Sequence, residues 1–316
     1  MSHQRSISIG LCTYNGSKYL KEQLHSYLNQ SIPPNELVVC DDCSNDDSID
    51  IIQSFSKIAP FRVRIFRNDN NIGVTNNFSK VISLCEYKYI AISDQDDIWQ
   101  PDKLETSYTR MLSLEKKYGS QVPILIHSDL TVINEKSDVI SDSFMKYLHL
   151  RNIMEKPLKY LLMQNFVTGC TCFFNSALAQ EASPIPEKAA LHDWWLALIA
   201  AARGMIAYVP EPKVLYRHHG KNTIGAKGLR EIIRTLSMER LNNQMNRLLN
   251  QANELRNHLL LHSEPVPREL ELFISSMRKG GLKSAYCIFS SGIRTQRFGI
   301  NLLYLLIIMR KEYLRL

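Results

Sequence analysis

The chain has 316 residues, of which 45% are hydrophobic and 22% charged, with a net charge of +7. That length accommodates two domains or one large α/β domain with an extension, and the composition excludes a disordered chain, a collagen-like chain and a small disulfide-stapled fold. The charge is uneven: from Ala226 onward 15 Lys and Arg face 7 Asp and Glu, an excess of +8, so a near-neutral part precedes a basic one. In chain order, MSHQRSISIG carries no apolar run of signal-peptide length, which predicts a cytoplasmic start. Ile7, Ile9 and Leu11 alternate as a strand, and Leu20, Leu24, Tyr27 and Leu28 fall on one helical face. Leu37–Cys40 is a short β-branched run ending in Asp41-Asp42, followed by a helix with Ile51, Phe55 and Ile58 inward. Arg62–Phe66 reads as a third strand, Asn68–Gly73 as a polar loop, and Phe78, Val81, Ile82 and Cys85 as a helix. Tyr87–Ile92 is a fourth strand running into Ser93-Asp94-Gln95-Asp96-Asp97. Alternating strands and helices predict a parallel, doubly wound α/β sheet, in which right-handed crossovers put all four polar tips on one edge.

Further along, Ile124–Asp129 reads as a strand, and Phe166–Phe174 as a strand bent at Gly169. His192-Asp193 opens a helix, Trp194–Arg203, stopped by Gly204. Ile206–Tyr216 carries two prolines and leads into Arg217-His218-His219-Gly220. After Gly225 the pattern turns helical, with Leu236–Leu261 as a long polar helix or helical pair. Phe298–Met309 is a run of twelve uncharged residues flanked by Arg294, Arg297, Arg310, Lys311 and Arg315. As a helix it spans about 18 Å, too short for a bilayer core of about 30 Å. It is expected to lie in a membrane interface with its basic neighbours on headgroups, the alternative being a helix docked on the main domain.

Three carboxylates in four positions, Asp94, Asp96 and Asp97, repel one another at a strand end unless a cation neutralises them. Oxygen ligands suit Mg²⁺ or Mn²⁺ bridging a diphosphate, and the mid-loop Gly of a calcium hand is missing. A solvated acidic turn is the bland alternative, against which Ile98-Trp99 speaks. Asp41-Asp42 offers acceptors for a pyrimidine N3–H or a ribose hydroxyl, or marks a helix start with Ser44–Asp47 as caps. Tyr14 is a candidate for stacking on a base. Cys40-x-x-Cys43 has the spacing of a redox or zinc pair, but Asp41 and Asp42 between them would raise the thiol pKa, and for the second pair a zinc site needs Cys170-x-Cys172 is only a distant candidate. The odd count of seven Cys without framework spacing predicts free thiols in a reducing compartment. Asp193, beside Trp194 and Trp195, is a candidate general base or a helix cap. His218 and His219 lie in a basic loop as phosphate contacts or a metal ligand.

Taken together, Thr13-Tyr14-Asn15, Val39-x-Asp41-Asp42, Asn71-x-Gly73, Asp94-x-Asp96-Asp97, His192-Asp193 and Tyr216-Arg217-x-His219-Gly220 resemble the family 2 inverting glycosyltransferases of GT-A fold. The resemblance covers roughly residues 6 to 225. SDQDDIW, HDWW and YRHHGKNTIG are similar to its bacterial rhamnosyltransferase-like group. It implies a GT-A transferase domain over residues 1–225 and a helical, basic extension over 226–316 at a membrane surface. It implies a nucleotide and donor face of Thr13, Tyr14, Asn15, Asp41, Asp42, Asn71, Gly73, Asp94 and Gln95. It implies Mg²⁺ or Mn²⁺ at Asp96 with His219 and Asp94, Asp193 as catalytic base, and an acceptor border of Asp97, Trp99, Trp194 and Trp195. Many members carry Glu-Asp where this chain has His192-Asp193, so His192 is expected to alter the pKa of the base.

The implied function is transfer of a sugar, first L-rhamnose from dTDP-rhamnose, to a lipid-linked saccharide acceptor at the inner face of the cell membrane, in cell-surface polysaccharide synthesis. The alternatives are a UDP-sugar hexosyl or N-acetylhexosaminyl transferase and a catalytically silent assembly subunit. A two-carboxylate hydrolase would leave the other polar tips unexplained. Nucleic-acid binding is disfavoured, because the tail interleaves few aromatics and carries no module signature.

Overall fold

The computed structural model describes residues 6–219, 237–311 and 313. Gly220 and the expected boundary between 225 and 226 lie outside the described residues. The first four strands form as the alternation predicts: β1 (Ile7–Thr13), β2 (Glu36–Asp41), β3 (Arg62–Arg67) and β4 (Tyr89–Ser93). Between them run α1 (Ser17–Leu28), α2 (Ser48–Ser56) and α3 (Val74–Leu84). All pairings among these strands are parallel, in the order β3-β2-β1-β4. The order reverses between β1 and β4, and ligands of such sheets bind in the crevice beyond the carboxyl ends at that point.

The sheet continues to nine strands through β5 (Ile98–Trp99), β6 (Ile124–Ile133), β7 (Val139–Ser141), β8 (Phe173–Asn175) and β9 (Met205–Arg217). Helix α4 (Lys103–Tyr118) connects β5 to β6. β8 is antiparallel to both β4 and β6, and β6 is parallel to β9. Two reversals therefore return β6 and β9 to the direction of β4, and Arg217-His218-His219 emerges on the same edge as Asp94–Asp97. Pro210 and Pro212 are tolerated within β9 because its pairing with β6 shifts register around Asp129.

The expected strand Phe166–Phe174 is corrected. Residues 169–171 form a 3₁₀ turn, and only Phe173–Asn175 is strand. The turn arises because the Gly169 N–H is bound by the Asp193 carboxylate and so is lost to any sheet ladder. Short helices α5 (Phe144–Tyr147), α6 (Leu158–Leu161) and α7 (Ser176–Ala182) precede α8 (His192–Arg203).

The carboxyl-terminal part is helical: α9 (Met238–Leu261), α10 (Arg268–Lys279), α11 (Gly281–Ser290) and α12 (Phe298–Arg310). Their inward residues, among them Met245, Leu255, Phe273, Ile288 and Ile308, share one buried cluster with Trp195 of α8 and Phe78 of α3. Helix α12 buries Tyr304, Ile307 and Ile308 and exposes Phe298, Leu302, Leu306 and Met309, so it both docks and leaves an apolar face outward. No helix among the described residues is long and apolar enough to cross a membrane. All seven cysteines are unpaired, and burial raises the Cys40 thiol to about 11, against any redox role for Cys40-x-x-Cys43.

The turn from α8 into β9 depends on a close backbone approach. A Cβ on Gly204 would stand 1.9 Å from the Pro123 carbonyl oxygen. Gly204→Ala is expected to destabilise the chain by about 1–3 kcal/mol, read as a lowered urea midpoint at unchanged slope.

Candidate active site

The polar tips of β1, β2 and β4, the start of α8 and the end of β9 open on one cavity of about 1310 Å³. Each reaches it for a local reason. The Thr13 hydroxyl donates to Asp41 Oδ2 at 2.8 Å, and Asn15 sits at φ 49° with its Oδ1 accepting the Asn45 N–H. Gln95 clamps Tyr14 peptide-fashion: its Oε1 accepts the Tyr14 N–H at 2.8 Å, and its Nε2 donates to the Tyr14 carbonyl at 3.1 Å. Gly16 leaves room for this clamp, since a Cβ there would come within 2.1 Å of Gln95 Oε1 and displace it. Tyr14 is thereby held with its ring 47% exposed. Asp42 spends its carboxylate on the next tip, accepting from Ile72 N, Gly73 N and Asn68 Nδ2 at 2.8–2.9 Å.

Thr13, Tyr14, Asn15, Asp42, Asn71, Gly73, Asp94, Gln95, Asp96, Asp193, Trp194 and His219 all line the cavity. Four expected site residues do not. Asp41 is fully buried and accepts from Thr13, Ser44 N and Ser44 Oγ, so it braces the tip from behind. Asp97 is fully buried, and its Oδ1 accepts the Arg217 N–H at 3.2 Å. Burial, and then Asp96 and Asp94, push its pKa well above the carboxylate range. Trp99 is turned into the core by the pairing of β5 with β9 and meets Tyr27 edge-on at 4.9 Å. The Trp195 indole is buried and donates to the Ala182 carbonyl at 3.0 Å. The acceptor border is corrected accordingly: of Asp97, Trp99, Trp194 and Trp195, Trp194 alone faces the cavity.

Asp193 lies in the first turn of α8, where the helix dipole favours an anion. Its Oδ1 accepts from Asn165 Nδ2 at 3.1 Å and from Trp194 N at 2.6 Å, and its Oδ2 accepts Gly169 N at 3.0 Å. Burial outweighs these donors and lifts its pKa to about 7. His192 stacks on Phe78 with ring centroids 3.7 Å apart, and burial drops its pKa to about 3. His192 is therefore neutral and brings no charge to bear on Asp193. Asn165 and Gly169 were not predicted as site residues. The one signal available for them was the bend expected at Gly169.

His219 Nε2 lies 2.8 Å from Asp96 Oδ2, with the imidazole stacked on Tyr19 at 5.3 Å. A nitrogen and an oxygen ligand in contact at the cavity wall fit a divalent cation that retains waters. Asp94 stands beside them, its pKa raised to about 7 by burial and then by Asp96 and Asp193. Asp94 also lies within 4.8 Å of Asp97 and Cys170. Those two are buried beneath the cavity floor, and the Cys170 thiol is pushed well up by burial, so this second grouping faces no ligand.

This nine-stranded mixed sheet, with the acidic tip at its reversal point, is of the GT-A fold class. Residues 8–180 match the family described as Glycosyl transferase family 2, and the chain belongs to that family. It is 28% identical over 233 residues to the dTDP-rhamnosyl transferase RfbG of Shigella flexneri, spanning 68% of this chain and 74% of that protein. It is 34% identical over 106 residues to the putative teichuronic acid biosynthesis glycosyltransferase TuaG of Bacillus subtilis strain 168, spanning 34% of this chain and 42% of that one. The fold is shared with TarS 1–349 of S. aureus in complex with UDP, at a TM-score of 0.57 and 15% identity over 98% of this chain and 88% of that one. It is also shared with the mannosyltransferase PcManGT of Pyrobaculum calidifontis in complex with GDP-Man and Mn²⁺, at a TM-score of 0.55 and 12% identity over 99% and 88%.

The buried Arg217 side chain holds this site together, donating to the Asp96 carbonyl at 3.0 Å, to Ser137 Oγ at 2.9 Å and to Glu22 Oε2 at 2.7 Å. Arg217→Met strands those acceptors and is expected to cost about 3 kcal/mol in urea unfolding. Arg217→Lys should recover less than half, because an ammonium cannot reproduce the guanidinium fork.

Proposed function

We propose that this chain is an inverting glycosyltransferase in which Asp193 takes the proton of an acceptor hydroxyl as that hydroxyl attacks the anomeric carbon of a nucleotide-sugar. The observation that carries the reading is a buried carboxylate, held by three N–H donors, in the same cavity as the Asp96–His219 pair. A pKa lifted to about 7 suits a base working near neutrality. Asp96 and His219, with Asp94 beside them, would hold Mg²⁺ or Mn²⁺. When bound, that ion supplies the charge neutralisation that makes a nucleoside diphosphate a good leaving group. Thr13, Tyr14, Asn15, Asp42, Asn71, Gly73 and Gln95 form the nucleotide side, with Tyr14 stacking on the base. Asp41 serves that side from behind, by bracing Thr13. Trp194 borders the acceptor.

The donor is dTDP-L-rhamnose, which the similarity to the dTDP-rhamnosyl transferase RfbG supports, and the process is cell-surface polysaccharide assembly, which the similarity to the putative teichuronic acid biosynthesis glycosyltransferase TuaG supports. A UDP-sugar is the second reading, favoured by the TarS complexes with UDP and UDP-GlcNAc. Released nucleoside diphosphate, counted for dTDP-rhamnose and three UDP-sugars with Mn²⁺ and then with EDTA, separates the two and tests the metal. Asp193→Asn should keep donor binding and lower transfer by at least about a hundredfold; retained turnover would sink the base assignment. Because an ionised Asp193 is the active form and its pKa is raised, turnover should fall tenfold per pH unit below about 7 and level off above it.

The acceptor is a lipid-linked saccharide, and the protein lies on the cytoplasmic face of the membrane, with residues 1–225 as transferase domain and 226–316 as the membrane-facing extension. Outward Phe298, Leu302, Leu306 and Met309 form a stripe on α12, 85%, 53%, 43% and 36% exposed, with Arg294, Arg310 and Lys311 alongside. Apolar residues flanked by cations suit an anionic headgroup layer, at about 1 kcal/mol per basic residue. Retention on phosphatidylglycerol vesicles should exceed that on phosphatidylcholine and fall severalfold in the double variant Leu302→Glu, Leu306→Glu. Equal retention of variant and wild type would remove α12 as the seat.

A further inference from the structure

The first turn of α12 and the segment 144–151 close one wall of the cavity. Phe144, Leu148, Leu150, Ile300 and Tyr304 make this wall apolar, and Arg297 is the cation within it. The Arg297 Nη2 donates to the Leu148 carbonyl at 2.9 Å, and its Nε is buried without a partner. Among the described residues no carboxylate lies within ion-pair distance of this guanidinium. The partly buried Arg64 differs in reaching both Glu36 and Glu86, and Arg217 reaches Glu22. Burial pulls the Arg297 pKa below its ordinary value, as expected of a cation desolvated without a counter-ion. Arg297 also precedes the first residue of α12, so the positive end of the helix dipole adds to its field.

An unpaired guanidinium in an apolar wall is favourable once an anion fills it, and its planar fork matches phosphate oxygens. The surroundings require that this anion carry an apolar part. The opposite face of the same helix is the exposed stripe Phe298, Leu302, Leu306 and Met309. We propose that Arg297 binds the phosphate or diphosphate ester of a lipid-linked acceptor, whose apolar tail lies along Leu148, Leu150 and Ile300 and leaves toward the outer face of α12. This deepens the transferase reading and rests on it, since the anion is assigned to the acceptor. The donor diphosphate is left to the side of Asp96 and His219.

The full chain, with Mg²⁺ and saturating dTDP or UDP to fill the donor side, would be titrated calorimetrically with farnesyl diphosphate, inorganic diphosphate and farnesol. Farnesyl diphosphate should bind more tightly than either fragment. Arg297→Gln should weaken it by about tenfold or more, Arg297→Lys by only a few-fold, and neither should change farnesol binding. Undiminished binding in Arg297→Gln, or no binding of farnesyl diphosphate to wild type, overturns the proposal. Equal loss of farnesol binding would mean that the wall had collapsed, and it overturns the specific role as well. Inorganic diphosphate binding as tightly as farnesyl diphosphate, with the same dependence on Arg297, would make the ligand a free anion and overturn the lipid assignment. The transferase reading fails on other readouts, the absence of nucleotide binding and of nucleoside diphosphate release, and the Arg297 comparison is made in either case.

Discussion

The buried guanidinium of Arg217 is the contact on which the site depends. It ends β9 with no exposure to solvent and, counting its backbone N–H, reaches α1 at Glu22, the acidic tip at Asp96 and Asp97, and the turn at Ser137. Its guanidinium also packs on the Tyr19 ring at 4.6 Å, the ring on which His219 stacks. A planar cation with five donors can fasten several elements at once, which a lysine cannot. Because Arg217 fixes where β9 ends, it also fixes where His219 begins, two residues on and against Asp96. The same residue that fastens the underside of the acidic tip thus sets the His219 imidazole against its upper side.

Four carboxylates show how environment divides one chemistry into separate tasks. Asp97 is buried beneath the tip, where burial and then Asp96 and Asp94 hold its pKa well above the carboxylate range. Asp94 and Asp193 are lifted to about 7, and both face the cavity. Asp42 also faces the cavity, but its oxygens are occupied by the N–H groups of the Asn68–Gly73 tip. Burial raises the cost of charge, and N–H donors lower it again; the balance at each position, not the residue type, sets what each Asp can do.

The helices α9 to α12 are part of the cavity and of the main core. Leu241 of α9 and Ile300 and Tyr304 of α12 line the same space as Asp193, while Met245, Leu255 and Ile308 pack into the cluster that holds α8. Helix α8 is therefore clamped from both sides, by the sheet and by the carboxyl-terminal helices. Its first turn, which carries Asp193, inherits that rigidity.

The local sequence determined the parallel half of the sheet. The apolar strands β1 to β4, alternating with helices and each followed by a polar tip, have one good solution, because a right-handed crossover sheet must bring those tips to one edge. The motifs Asp94–Asp97, His192-Asp193 and Arg217–His219 were legible for the same reason, as charged residues at element ends. The direction of each side chain was decided by the tertiary structure. Asp41 and Asp42 are adjacent, yet only Asp42 faces the cavity; Trp194 and Trp195 are adjacent, yet only Trp194 does. Successive residues point different ways on a strand or a helix, and which way is inward depends on what packs there. Asn165 and Arg297 carried no local signal for their roles, and neither the bend at Gly169 nor the charge of Arg217 told which groups they would hold. Each acts on groups far away in sequence, such as Asp193, Asp96 and Leu148, and those partners exist only once β8, β9 and α12 have been laid beside them.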